Sequence, residues 1–344
     1  GVQNMSLMVV KRRGDIVEFD SDRITRAIGK AIHATDSNID PDKIDGIVKE
    51  IIQEIGDRFQ EFYPNVENIQ DLVEKHLVMN GLYEIAKSYI LYRAERKEAR
   101  EKQAKEAIHK SLVGKLAVKR DDGKIVLFNL HKLRESISNA IEGYEKDVSV
   151  DLIIKETLKN VYDGIDTKEI NKALVMSTIS FFEIDPAYSK VAARIFLRGL
   201  FKEVTGKSLI LGNSSESYRK AFVDGIGIGI ERGVFDERLK EFDLEKMAQG
   251  LKIERDDLFQ CAGIQVLYDK YLIKDEGRTI ELHQSFWMRV AMGLALDEQN
   301  KEEKAMEFYE LLSSLRFVSS TPTLFHSGTT HPQLSSCYLT TVED

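Results

Sequence analysis

Proline and cysteine are scarce in this chain. Five prolines and two cysteines in 344 residues leave no proline-stiffened linker and no disulfide framework. The two cysteines, Cys261 and Cys337, form no CxxC pair, and the seven histidines include no helical His pair and no HExxH, so no structural metal site is expected. Positive charge is also in short supply. Lys plus Arg total 49 against 57 Asp plus Glu, a net charge of -8, which argues against a surface built to neutralise nucleic-acid phosphates. No stretch approaches the run of about 18 apolar residues needed to span a bilayer, and no basic-then-apolar leader opens the sequence. These absences predict a soluble cytoplasmic protein with no nucleic-acid or membrane partner.

What is present is helical periodicity. Ile44, Ile47, Val48, Ile51, Ile52 and Ile55 recur at three- and four-residue spacing, as do Leu72, Val73, Leu77 and Leu82. From Tyr83 to Lys110 one helix begins apolar and becomes a charged, solvated connector. An internal repeat organises the first two thirds of the chain. Residues 9–24 read VVKRRGDIVEFDSDRI and residues 118–133 read VKRDDGKIVLFNLHKL, each a basic strand, a Gly turn, a second strand and a basic helix start. The turn glycines Gly14 and Gly123 lie 109 positions apart, and the closing helices YEIAKSYILYR and YSKVAARIFLR, starting at Tyr83 and Tyr188, lie 105 apart. After Gly206 the repeat stops. Residues 215–316 read as helical, with breaks around 225–233, 256–257 and 274–279, before a Ser/Thr-rich segment that predicts strand and ordered loop.

Three features carry candidate chemistry. A hairpin over a helix N-terminus suits a polyphosphate, because backbone N–H groups and the helix dipole favour anions there. Lys11, Arg12, Arg13 and Arg23 in one copy and Lys119, Arg120 and Lys132 in the other add charge, while Val17 with Phe19, or Val126 with Phe128, can cover a base. An amphipathic hairpin with solvated basic residues is the plainer alternative. The glycines of DGIGIGIERG, residues 224–233, have the wrong spacing for a dinucleotide loop and read as a helix terminus or kink. Cys337 follows a Gly-containing turn rich in hydroxyls, and Cys261 sits in a helical pattern that assigns it to packing.

The paired hairpin units resemble the ATP-cone, a nucleotide-sensing module. The helical region and the string TPTLFHSGTTHPQLSSCYL, from Thr321, resemble the class I ribonucleotide reductase large subunit. The resemblance covers essentially the whole chain. It implies nucleotide contacts in the first cone from Lys11, Arg12, Val17, Glu18, Phe19, Asp20, Ser21, Asp22, Arg23 and Arg93. In the second it implies Lys119, Arg120, Val126, Leu127, Phe128, Asn129, Leu130, His131, Lys132, Thr167 and Arg198. The first copy has Val66 where the family's Thr would stand, and the second carries an extra turn residue at Asp121 and Asp122. Cys337 takes the place of one of the family's two substrate-reducing thiols, with Thr321 and Ser336 where substrate is contacted.

The fold implied is mainly α with small β-hairpins. Its expected domains are cone 1 at 7–97, a connector at 98–115, cone 2 at 116–205 and a reductase helical domain at 206–316. The first strand and loop of a ten-stranded α/β barrel are expected at 317–344. The resemblance implies ATP and dATP as effectors, taken with Mg2+, and a homo-oligomer. It also implies the rest of a large subunit, holding the partner thiol and the radical Cys, and a separate radical-generating small subunit with its own metal centre. The reaction implied is reduction of ribonucleoside diphosphates, with this chain inactive alone. A helical adaptor whose cones no longer bind nucleotide is the other reading.

Overall fold

Short strands and long helices follow one another as the repeated pattern predicts. The computed structural model describes residues 7–11, 16–59, 63–112, 114–207, 214–337 and 339; Arg12 and Gly14 lie outside them. Contacts divide the chain into two compact units, Gly1–Leu130 with Leu158–Asp166, and His131–Thr157 with Thr167–Asp344.

In the first unit, β1 (Met8–Val10) pairs antiparallel with β2 (Ile16–Glu18), in the register Met8 to Glu18. Four helices follow: α1 (Asp22–Ala34), α2 (Pro41–Arg58), α3 (Val66–Met79) and α4 (Tyr83–Leu112). Their starts are written in the sequence. Asp40 caps α2 ahead of Pro41, and Asn65 and Asn68 form a reciprocal capping box on α3. The apolar stripe forms the core, with Ile28, Ile51, Ile55 and Leu77 all at 0% exposure. Each such side chain contributes about 1.5–3 kcal/mol by leaving water. Ile52 stays half-buried at the edge. The unit also holds β3 (Ala117–Lys119), β4 (Ile125–Leu127) and β5 (Ile165–Asp166), in the order β4-β3-β5. Gly123 turns the β3–β4 hairpin at φ 78, a conformation that a side chain would strain.

The two repeats match beyond their hairpins. Val10 bridges in parallel to Asn65, and β3 pairs in parallel with β5. In each repeat the first strand therefore pairs with the chain that opens the third helix.

The second unit contains α5 (Leu130–Ala140) from His131 onward, α6 (Val150–Leu158) to Thr157, α7 (Thr167–Ile179) and α8 (Ala187–Thr205). Then come α9 (Ser214–Glu231), α10 (Leu244–Gln249), a 3-10 turn at Ile253–Leu258 and α11 (Cys261–Val266). A two-residue hairpin of β6 (Lys274–Asp275) and β7 (Arg278–Thr279) leads into α12 (His283–Leu294), α13 (Lys301–Ser313) and α14 (Thr321–His326). Leu200 and Phe201 at the end of α8 share one core with Tyr218, Phe222, Phe286, Trp287 and Tyr309.

Two expectations need correction. The glycines at 225, 227 and 229 do not break their helix, though it does terminate within the glycine-rich span, at Glu231 ahead of Gly233 at φ 69. Close approach explains two of them: a Cβ at Gly225 would lie 2.6 Å from the Ile280 carbonyl oxygen, and one at Gly229 2.0 Å from the Phe235 ring. The expected strand near the C-terminal end is replaced, among the described residues, by α14 and irregular chain. Pro322 sits in that helix's first turn, where its missing N–H leaves no bond unmade.

Candidate functional site

In the first repeat, the hairpin and the start of α1 present Lys11 and Val17 half-buried and Glu18 exposed, while half-buried Phe19 packs on the core. Ser21 caps α1 without a side-chain bond. Asp20 accepts from the Asp22 backbone N–H at 3.0 Å, and from Arg23 at 3.3 Å and Arg26 at 3.2 Å. Arg93 is drawn elsewhere. Its guanidinium donates to Glu67 at 2.6 Å, Asp71 at 2.7 Å and Glu74 at 2.8 Å, all on α3. Burial opposes its charge, but these hydrogen bonds outweigh it and hold the guanidinium above its ordinary pKa.

In the second repeat, Lys119, Arg120, Val126, Leu127 and Asn129 are exposed. Phe128 is 9% exposed, with its N–H on the Leu116 carbonyl, so it is a core residue rather than a cover for a base. At the start of α5, Leu130 is half-buried while His131 and Lys132 are exposed; Thr167 opens α7. Arg198 donates to the Ser136 carbonyl at 2.9 Å and the Asn139 carbonyl at 3.0 Å. Desolvation, helped by nearby Arg194, lowers its pKa. The charge of Glu142 offsets part of this, and no carboxylate hydrogen-bonds Arg198 among the described residues.

The thiol segment is held by hydroxyls. Thr323 donates from Oγ1 to the Leu334 carbonyl at 2.9 Å, tying α14 to the chain two residues before Ser336. Cys337 is exposed, and Ser336 Oγ lies 3.7 Å from its sulfur. The Thr321 hydroxyl is 3.2 Å from that of Tyr271. Behind the segment, Arg289 is fully buried against Glu281 and donates to the Ser327 carbonyl at 2.6 Å. Cys261 is buried and its thiol is pushed up to about 11 by desolvation, in keeping with packing. Sequence reasoning passed over Arg289, which is buried inside an apolar helix, and over Lys190 and Arg194. Those two share a face of α8 with Arg198, and the four-residue spacing of 190, 194 and 198 was the available signal.

Comparison with known proteins decides the family. The family model for the ATP cone domain matches residues 7–98 and 116–203, together over half of the chain. The chain belongs to the ATP-cone family. The all-alpha domain of ribonucleotide reductase matches residues 257–332, and the chain corresponds to the N-terminal part of a reductase large subunit. It is 36% identical over 349 residues to the ribonucleoside-diphosphate reductase subunit alpha of Chlamydia trachomatis, covering 98% of this chain and 33% of the relative. The subunit of the same name from Chlamydia pneumoniae is 35% identical over 353 residues, covering 100% of this chain and 34% of that one. That from Helicobacter pylori is 35% identical over 234 residues, covering 67% and 28%. The chain thus spans about a third of the curated chlamydial relatives it matches. The cones imply binding of a nucleotide effector. Among the described residues no helix is long and apolar enough to cross a membrane.

Proposed function

We propose that the chain senses ATP and dATP for a ribonucleotide reductase and that its working site is the second cone. The observation that carries this is the contrast between Arg93 and Arg198. In the first cone the arginine faces three carboxylates on α3, so the neighbourhood of Arg93 repels phosphate. In the second cone the hydrogen bonds of Arg198 go to carbonyls and not to carboxylates. Anions favour the second arrangement. Lys119, Arg120 and Lys132 supply charge for the phosphates, Thr167 a hydroxyl, and Val126 and Leu127 an apolar surface for the base. Mg2+ arrives on the nucleotide's phosphates.

Discrimination by the 2′-hydroxyl shifts an equilibrium between active and inactive oligomers, through a coupling of about 1–3 kcal/mol. In the whole reductase the segment 317–344 opens the catalytic barrel. There Cys337 gives up reducing equivalents to a ribonucleoside diphosphate and closes a disulfide with a thiol other than buried Cys261, while Thr321 and Ser336 contact substrate. Radical generation falls to a separate metal-bearing small subunit.

Isothermal titration calorimetry of this chain with dATP and then ATP tests the sensor. Binding that Lys119→Ala weakens at least about tenfold, a loss of some 1.4 kcal/mol, and that Lys11→Ala leaves unchanged, supports the second cone. Lys11→Ala alone abolishing binding would reverse the assignment. No binding at millimolar nucleotide would leave a helical adaptor.

A further inference from the structure

The second cone's closing helix ends in the core that carries α12 and α13, yet its most directional link to those helices is polar and runs through one short turn. Arg194, on α8, faces two ways. Its Nη1 donates to the Ala140 carbonyl at 3.1 Å and the Glu142 carbonyl at 2.6 Å, at the C-terminal end of α5. Its Nε and Nη2 grip the two Asp257 carboxylate oxygens at 2.9 and 3.2 Å. One turn earlier, Lys190 donates to the carbonyls of Asp257, Leu258 and Phe259 at 3.1, 3.0 and 3.4 Å. The same turn holds the helical domain from its other side. Asp256 accepts from Gln284 Nε2 at 2.8 Å, pairs with His283 Nδ1 at 2.8 Å and accepts from the Tyr218 hydroxyl at 3.2 Å. Arg255 donates to Ser313 Oγ at 2.6 Å and to both Glu310 oxygens at 2.6 and 2.7 Å. The Lys252 N–H donates to Tyr309, whose hydroxyl, pushed up to about 12 mainly by burial, donates in turn to Gln284.

We infer that the turn at 252–259, gripped by Lys190 and Arg194, is the coupling element through which occupancy of the second cone reaches α12 and α13. This rests on the second cone being the nucleotide sensor. Asp257 is held by Arg194 of α8, which also holds the carbonyl end of α5, while its neighbours Asp256 and Arg255 are bonded to α12 and α13. A shift of α5 against α8 cannot be absorbed without moving both sets of bonds, because hydrogen bonds lose strength steeply with angle. A cleft of about 450 Å³, lined by Arg194, Tyr218, Asp256, Asp257 and His283 among others, runs beside the turn. Here the grip is polar, with open volume beside it, so it can be remade in a second arrangement. Lys190 and Arg194 act as positioning residues.

Amide hydrogen exchange of the whole chain, with and without dATP, tests the coupling beside calorimetry on the same samples. In the wild type, dATP is expected to change protection at 252–259 and in α12 by about fivefold or more, the low end of ordinary coupling. In the Lys190→Ala, Arg194→Ala double variant, calorimetry still records dATP binding, while the exchange response at 252–259 and α12 is lost. Arg194→Lys, which cannot make the two-pronged grip on Asp257, falls between. Should the double variant fail to fold, Asp257→Asn cuts the same grip from an exposed position. A response in α12 that survives in these variants, or one absent from a wild type that binds dATP, overturns the proposal. A wild type that binds no nucleotide overturns the sensor reading instead.

Discussion

The two cones place an arginine at the same point of the closing helix, ten residues after its tyrosine, and surround it differently. Arg93 ties α4 to α3 through Glu67, Asp71 and Glu74. Arg198 caps the carbonyl end of α5. The first cone also closes its own core around Ile28, Ile51 and Ile55, whereas the second passes Leu200 and Phe201 into a core shared with α12. One copy thus ties its arginine to carboxylates, and the other bonds it to carbonyls and shares its core with later helices. A duplicated unit can keep its fold while only one copy keeps the chemistry, because stability needs the arginine's partners to be polar, whereas phosphate binding needs them not to be acidic.

The largest effect expected tests the self-contained core. Ile51→Ala should cost about 2–5 kcal/mol by opening a cavity in the first cone. Chemical denaturation should show the loss, while the dATP affinity assigned to the second cone stays unchanged. A fall in that affinity would show that the copies are not energetically independent. Next comes conversion of one copy toward the other. Glu67→Gln, Asp71→Asn and Glu74→Gln with Val66→Thr remove the acids around Arg93 and restore the hydroxyl. The expected outcome is a second calorimetric dATP site, binding about tenfold or more tighter than the first cone of the parent does, since each relieved carboxylate returns on the order of 1 kcal/mol. An unchanged stoichiometry would mean that charge at Arg93 is not what separates the cones.

Much of this contrast was legible before any coordinates. The spacing of Ile44, Ile47, Ile51 and Ile55 named the first cone's core, because a helical stripe is a local property that burial only confirms. The repeat named both hairpins. Partners set by long-range packing could not be read. Arg93 and Arg198 occupy equivalent places in sequence, and nothing local reveals that one meets α3 acids and the other α5 carbonyls. Phe128 read as a base cover because alternation in a strand tells which residues share a face, not which face is covered. The glycines of α9 read as a break because glycine disfavours helix. Their actual reason, contact with Ile280 and Phe235, lies about fifty and six residues away in the chain.

A smaller effect separates the arginines by salt. Arg93→Met leaves three carboxylates along one helix face and should destabilise by about 1–2 kcal/mol, discounted because Glu67 and Asp71 are exposed at 47% and 66%. That loss should shrink as ionic strength rises, since exposed charges are screened over about 10 Å at 0.1 M. Arg198→Met instead removes bonds to neutral carbonyls, for a loss of similar size that salt changes little. Equal salt dependence in thermal melts of the two variants would remove the distinction.

The smallest effect lies in acid. On α2, Glu50 is held below the ordinary carboxyl range by hydrogen bonds from Asn80 and His76, and Glu54 by those from Lys75 and His76. Both pairings belong to the first cone. A carboxyl whose folded pKa is depressed binds its proton later than in the unfolded chain, so its contribution is complete above the free value near pH 4.3. It fades as pH falls through the lower folded value. The first cone should therefore lose stability as pH falls below the free value of about 4.3, and Glu50→Gln with Glu54→Gln should flatten that slope without lowering the neutral-pH melting point by more than a few degrees. Glu50 is exposed and Glu54 half-buried, so screening by solvent keeps the effect small. Its value is its location: exchange-detected opening in acid should begin among α2 and α3 amides and leave α12 protected. Opening that began in α12 would place the acid-sensitive contacts in the second unit, at the grip on 252–259 rather than in the self-contained cone.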